Sequence, residues 1–146
     1  MLFGKLFSKS KKEAHGVTAN TAAHINVGIR GEDAACDFLN KNKLSIIARN
    51  FRAGKCEIDI IAEDRRNIVF VEVKTRTSPK GSPYGRPSDA VNRAKRENVI
   101  SAAREFLRRY AKNDKRAIRF DVIEIYATAS NEISEIIHIK DAFSAY

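Results

Sequence analysis

Cysteine and histidine are scarce in this chain, and their scarcity removes several chemistries at once. Cys36 and Cys56 are its two cysteines, and they form no Cys-x-x-Cys pair. With no secretory signal ahead of them, they read as reduced thiols of a cytoplasmic protein. The three histidines, His15, His24 and His138, are scattered, and none falls in a zinc-like spacing. Each reads as a surface residue, which leaves little support for a histidine nucleophile or general base. No Gly-rich phosphate loop, Ser/His/Asp set or nucleotide fingerprint is present. An aromatic-rich RNA-binding signature is also missing.

Positive charge is what the chain has in excess. It carries a formal net charge of +9 over 146 residues. The length suits one domain with a single sizeable core. The charge suits a polyanionic partner, either nucleic acid or an anionic membrane surface. The first twelve residues mix four lysines with Leu2, Phe3, Leu6 and Phe7. They lack the apolar core of a signal peptide and are too short to span a bilayer. Residues 1–26 therefore read as a flexible basic extension, with a membrane-surface helix as the lesser reading. Residues 27–146 form the domain.

Two strands carry the strongest signal. Cys56–Glu63 and Asn67–Thr75 are apolar on both alternating faces, as in a sheet covered on both sides. Asp59, Glu72 and Lys74 interrupt them, and a buried charge needs a partner. The short polar turn between the strands predicts a hairpin. An even loop sets Asp59 opposite Glu72, and Glu57 opposite Lys74 as its ion-pair partner. Opposed residues have Cβ atoms roughly 4.5–5.5 Å apart. Two carboxylates so placed repel, and a divalent cation between them turns repulsion into coordination. Lys74, two residues beyond Glu72, shares its face. The competing reading is an ordinary surface ion pair on an edge strand.

The remaining pattern predicts a helix over 27–41, with Ala34, Ala35, Phe38 and Leu39 inward, then a strand over 45–51. After the hairpin, residues 77–87 are rich in Pro and Gly and read as a loop placed to close over a substrate. A second helix runs from an N-cap at Ser88 to about Ala111. Its apolar stripe includes Val91, Ala94, Val99, Ala102, Ala103, Phe106 and Leu107. Its other face is basic, either simply solvated or a track for phosphates. Strands over 117–126 and 134–140 complete an α/β fold. Asp121 in the first of these is either a buried structural acid or a polar group near the site.

The triplet Asp59…Glu72-Val73-Lys74 resembles the PD-(D/E)XK signature of the restriction-endonuclease-like superfamily. From about Gly28 onward the chain is similar to the YraN-like family of small bacterial proteins. The resemblance is carried by Gly31–Leu39, Arg49–Arg52, Glu57–Ala62 and Val69–Arg76. Archaeal Holliday-junction resolvases look like distant relatives. The chain departs from the pattern at Ile58, where proline is usual, and at Cys56, where glycine is usual, and neither departure removes a ligand.

The resemblance implies a restriction-endonuclease-like mixed central sheet of about five strands flanked by helices. It also implies a metal-dependent endonuclease that hydrolyses phosphodiesters, with DNA favoured over RNA. Asp59 and Glu72 are then the ligands for Mg²⁺ or Mn²⁺, with Glu32 the best additional one. Glu32 has an equal claim as a carboxylate favouring its helix dipole. Lys74 orients or deprotonates the attacking water, or stabilises developing charge. Arg76, Arg93, Lys95 and Arg96 are the candidate nucleic-acid contacts, Lys95 matching a lysine that recurs in the family. A homodimer suits cutting both strands. The alternatives are a non-enzymatic nucleic-acid-binding protein that keeps the fold, or a membrane-surface interaction module.

Overall fold

The computed structural model describes residues 19–77 and 91–145. In chain order these form α1 (Ala19–Lys41), β1 (Ser45–Ala53), β2 (Cys56–Glu63), β3 (Asn67–Arg76), α2 (Arg93–Tyr110), β4 (Ala117–Ala127) and β5 (Ile133–Phe143). The strands make one five-stranded sheet in the order β1-β2-β3-β4-β5. β3 and β4 run parallel, and the other neighbours are antiparallel. Parallel neighbours need a crossover, and α2 lies between them in the chain. The fold is α/β, a mixed sheet with a helix on either side.

Apolar residues on both faces of β2, β3 and β4 dictate that arrangement. On one side Phe51, Phe70, Phe120 and Phe143 pack with Val99, Ala102, Ala103 and Phe106 of α2. On the other side Ile60, Ala62, Val69, Val71, Ile123 and Ile125 pack with Ala35, Cys36 and Leu39 of α1. α1 ends in a Schellman motif. The Leu44 N–H donates to Leu39 O at 3.0 Å and the Lys43 N–H to Asn40 O at 3.1 Å. Lys43 takes the left-handed position with φ 65°, and Leu44 buries itself beside Leu39.

Two helix starts differ from the sequence expectation. α1 begins at Ala19, eight residues before position 27. No apolar period marks this stretch in the sequence, but Ala19, Ala22 and Ala23 are strong helix formers. α2 begins at Arg93 with Asn92 as its N-cap, whose side chain accepts from Lys95 N at 2.9 Å. Asn caps a helix as well as Ser does, and Ser88 lies outside the described residues. Ala94, expected in the apolar stripe, is exposed, while Val91 is buried just ahead of the helix. The loop expected to close over a substrate also lies outside the described residues, except Thr77.

Candidate active site

The site forms where β2 and β3 diverge. Their ladder runs from Glu63↔Ile68 to Ile60↔Val71, the register expected from the short turn. Asp64 builds that turn, its Oδ1 accepting from the amides of Arg66 and Asn67, each at 2.7 Å. One step further the register sets Asp59 level with Glu72, but no ladder pair forms there. Instead the Val73 N–H donates to Asp59 Oδ2 at 2.8 Å. The side chain thus occupies a position that a backbone carbonyl would otherwise fill.

The alternation of β2 also slips at this point. Ile60 packs on the α1 side and Ile58 on the α2 side, although residues two apart normally share a face. On β1, Arg49 pairs with Ile60 and Phe51 with Ile58. Between them Asn50 has φ 50°, a left-handed conformation that Asn tolerates better than most residues. Its amide donates to Glu32 Oε2 on α1 at 3.3 Å. Arg49 holds Glu32 at 3.6 Å and Asp33 at 2.7 Å. The Arg49-Asn50 and Gly31-Glu32 segments, far apart in the chain, are thus one contact.

Gly31 explains how α1 comes so close. A Cβ on Gly31 would lie 2.1 Å from Thr75 Oγ1 of β3. Only glycine permits that approach, and it brings Glu32 to the rim of a cleft of about 320 Å³. Val27, Gly28, Glu32, Asp59, Glu72, Val73, Thr75 and Thr77 line it.

Glu72 is 2% exposed and lies between two ammonium groups. Lys74 Nζ is 3.1 Å from Oε1, and Lys95 Nζ is 3.3 Å from Oε2. The Lys95 contact is an ion pair without hydrogen-bond alignment, so the buried Oε2 has no hydrogen-bond partner. Burial, followed by the charge of Glu72, pushes the Asp59 carboxyl up to about 7, against the Val73 amide and Lys95, which draw it down. Two crowded carboxylates and one unsatisfied oxygen suit a hard divalent cation. Among the described residues, however, no three His, Cys, Asp or Glu side chains gather as a metal-ligating group. Glu32 lines the cleft without joining Asp59 and Glu72 in such a group.

The other candidates fall elsewhere. Glu57 pairs with Arg52 of β1 at 2.9 Å and not with Lys74, because β2 is laddered only to β1 at that level. Arg76 is 3.3 Å from the buried Glu124, which also accepts from the Tyr126 hydroxyl at 3.1 Å. Arg93 pairs with Glu97 on the surface of α2. Arg96 donates from Nε to Val91 O at 2.8 Å and lies over the Phe143 ring. Lys95, expected as a phosphate contact, faces Glu72 at 3.3 Å.

Asp121 is a buried structural acid outside the cleft. It accepts two bonds from Arg119, at 2.8 and 2.9 Å, and one from the Asp141 amide at 3.0 Å. His138 Nε2 lies 2.7 Å from it. The His138 side chain is 7% exposed, which corrects the surface reading. β5 sets His138 beside Ile123 on the α1 side, edge-on to Phe38.

The sequence profile described as "Uncharacterised protein family UPF0102" matches residues 31–125. A UPF0102 protein of Caldicellulosiruptor bescii is 45% identical over 117 residues, covering 80% of this chain and 96% of its own. One from Geobacter metallireducens is 43% identical over 118 residues, covering 81% and 92%. One from Clostridium botulinum is 41% identical over 118 residues, covering 81% and 94%. The match takes in Gly31, Glu32, Arg49, Asn50, Asp59, Glu72, Lys74 and Lys95 together, so the chain belongs to the UPF0102, YraN-like family.

Proposed function

We propose that this protein is a metal-dependent endonuclease that hydrolyses phosphodiester bonds in nucleic acid, DNA in preference to RNA. The observation that carries the reading is the buried, mutually repelling Asp59–Glu72 pair beside Lys74 at a polar cleft. Such a pair is costly for stability, and costly charges gather at functional sites. Asp59 and Glu72 would hold Mg²⁺ or Mn²⁺, with Glu32 contributing from the rim, through water. When bound, the cation supplies charge neutralisation and a more acidic water. Lys74 holds an ammonium at the same carboxylate, where it orients that water or balances charge on the phosphate. Arg and Lys side chains of α2 and the net charge of +9 draw in the polyanion.

One observation favours a second reading. Lys74 and Lys95 already place two positive charges against Glu72. The cluster then serves as an internal ion-pair network in a protein that binds nucleic acid without cutting it. Incubation with linear, single-stranded, flapped and four-way DNA, with RNA controls, in Mg²⁺ and Mn²⁺ decides between them. Cleavage that chelator stops supports the nuclease. Salt-sensitive binding with no cleavage on any substrate supports the binding protein. The membrane-surface alternative concerns residues outside those described. Among the described residues no helix is long and apolar enough to cross a membrane.

A further inference from the structure

We infer that Lys95 is a resident counter-cation of the Asp59–Glu72 site, one that a divalent metal must displace from Glu72 before it binds. The inference rests on the metal-site reading above and assigns Lys95 a place in that site before it meets any phosphate.

Glu72 is held asymmetrically. Lys74 extends from the same strand, two residues on, and reaches Oε1 at 3.1 Å. Lys95 comes from another element, the first turn of α2, and approaches Oε2 at 3.3 Å. That approach leaves Oε2 buried and without a hydrogen bond. A neutral donor built to satisfy the oxygen would be aligned with it, whereas a mobile ammonium needs only proximity. Lys74 and Lys95 are each about a third exposed, so either side chain has solvent to move into, and what sets Lys95 apart is the buried, unbonded Oε2 that it faces. Lys74 and Lys95 thus differ in kind: one travels with the ligand's own strand, and the other arrives from a separate helix.

Like charges set the consequence. An ammonium and a dication cannot both sit against one buried carboxylate oxygen without strong repulsion. Metal entry therefore drives Lys95 from Oε2 toward solvent. There the displaced ammonium is free to meet a phosphate, so metal loading and substrate grip are linked through one side chain. In the metal-free protein Lys95 keeps Glu72 from standing as an uncompensated buried charge.

The test is direct Mn²⁺ affinity, measured by titration calorimetry and by the paramagnetic signal of free Mn²⁺, on wild type, Lys95→Met, Lys95→Gln and Lys95→Arg. Removing the ammonium should tighten Mn²⁺ binding about tenfold or more. Lys95→Gln should do the same, and it protects against a folding failure of the methionine variant because it can still donate to Glu72. Lys95→Arg retains the charge and should bind no more tightly than wild type. Affinity that is unchanged or weakened in both neutral variants overturns the inference, since Lys95 would then be inert or a support for the ligand. Tightened Mn²⁺ binding without cleavage on any substrate would preserve it while removing the nuclease reading. Absence of Mn²⁺ binding in every variant overturns both.

Discussion

Asp59 Oδ2 accepts the Val73 amide at 2.8 Å, across the point where the β2–β3 ladder stops at Ile60↔Val71. The bond does two things. It satisfies an amide that the diverging strands leave without a partner, and it fixes Asp59 beside Glu72. Asp59→Ala thus removes both a metal donor and a backbone clasp, whereas Asp59→Asn keeps an acceptor for the amide. Asp59→Asn and Glu72→Gln should each lower metal-dependent cleavage at least about 100-fold. Nucleic-acid affinity should stay near wild type, because it rests on basic groups elsewhere. Cleavage assays paired with binding isotherms check this. Wild-type cleavage by Asp59→Asn would place the chemistry at another site.

The raised Asp59 carboxyl predicts a pH dependence of metal-free stability. Its folded value is about 7, against about 3.9 in an unfolded chain. Between those values the folded state keeps a proton that the unfolded chain releases. The resulting stability is fully present below about 3.9 and is lost as pH rises through 7. Asp59→Asn escapes that loss. Urea midpoints of the two proteins in chelator should therefore diverge from pH 4 to pH 8, with the variant the more stable at the alkaline end. Mn²⁺ should stabilise wild type selectively and reverse the order. Parallel curves across that range would mean that neither burial nor Glu72 raises the Asp59 carboxyl.

Asp121 makes the opposite prediction. Hydrogen bonds from His138, Arg119 and the Asp141 amide hold its carboxyl below the ordinary range in spite of burial. Its contribution is present above the unfolded value and is lost as pH falls. Asp121→Asn should destabilise the fold by roughly 3–5 kcal/mol, because it leaves the Arg119 guanidinium without its counter-charge. Equilibrium unfolding at pH 7 measures it. A change under about 1 kcal/mol would show that the network is replaceable.

What was legible in the sequence followed local periodicity. The two-faced apolar strands, the even turn and the Glu72-x-Lys74 spacing lead to the sheet, its register and the shared face of Glu72 and Lys74. Contacts made by packing were not legible. No spacing rule links Lys95 to Glu72, because the phase of α2 against β3 comes from how Val99, Ala102 and Phe106 seat on the sheet. The shift of N-cap from Ser88 to Asn92 hid it further. The Glu57–Lys74 pair failed because a register argument assumes that the ladder continues, and here the strands diverge beyond Ile60↔Val71. His138 looked exposed because a lone histidine has no period to betray its neighbours. Of the Asp121 partners, Arg119 is two residues away, but His138 and the Asp141 amide lie 17 and 20 residues downstream, on a strand that approaches only through the β4–β5 pairing.

Salt dependence tests the electrostatic component of the function. Each phosphate contact made by a Lys or Arg releases counterions, so affinity falls with rising salt. Arg76 and Arg93 are already paired with Glu124 and Glu97 in the free protein. They contribute to binding only by exchanging those partners. Arg93→Ala and Arg76→Ala should each reduce the slope of log affinity against log salt by about one or less. The Arg93 change should leave stability near wild type, since its pair is exposed. Slopes identical to wild type in both would remove these residues from the interface.

Gly31 offers the most local test of how the fold builds the site. A Cβ at this position would meet Thr75 Oγ1 at 2.1 Å, with the Thr75 Cβ and Cγ2 at 3.3 and 3.4 Å. Rotation about the Thr75 χ1 moves the hydroxyl but leaves its Cβ at 3.3 Å, tighter than an ordinary contact, so we expect α1 to lift from β3. Gly31→Ala should then cost roughly 1–3 kcal/mol, despite alanine's better helix propensity. The lifted helix carries Glu32 away from the cleft, so Mn²⁺ affinity should weaken in parallel. Thr75→Ala removes the hydroxyl and the methyl carbon. The double variant Gly31→Ala/Thr75→Ala should recover some of both losses, with a coupling of about 0.5–3 kcal/mol in the favourable direction. Unfolding free energies of the four proteins give that coupling. Additive effects would mean that Gly31 serves something other than the approach to Thr75. A stability loss with unchanged Mn²⁺ affinity would detach Glu32 from the metal while leaving the packing argument intact.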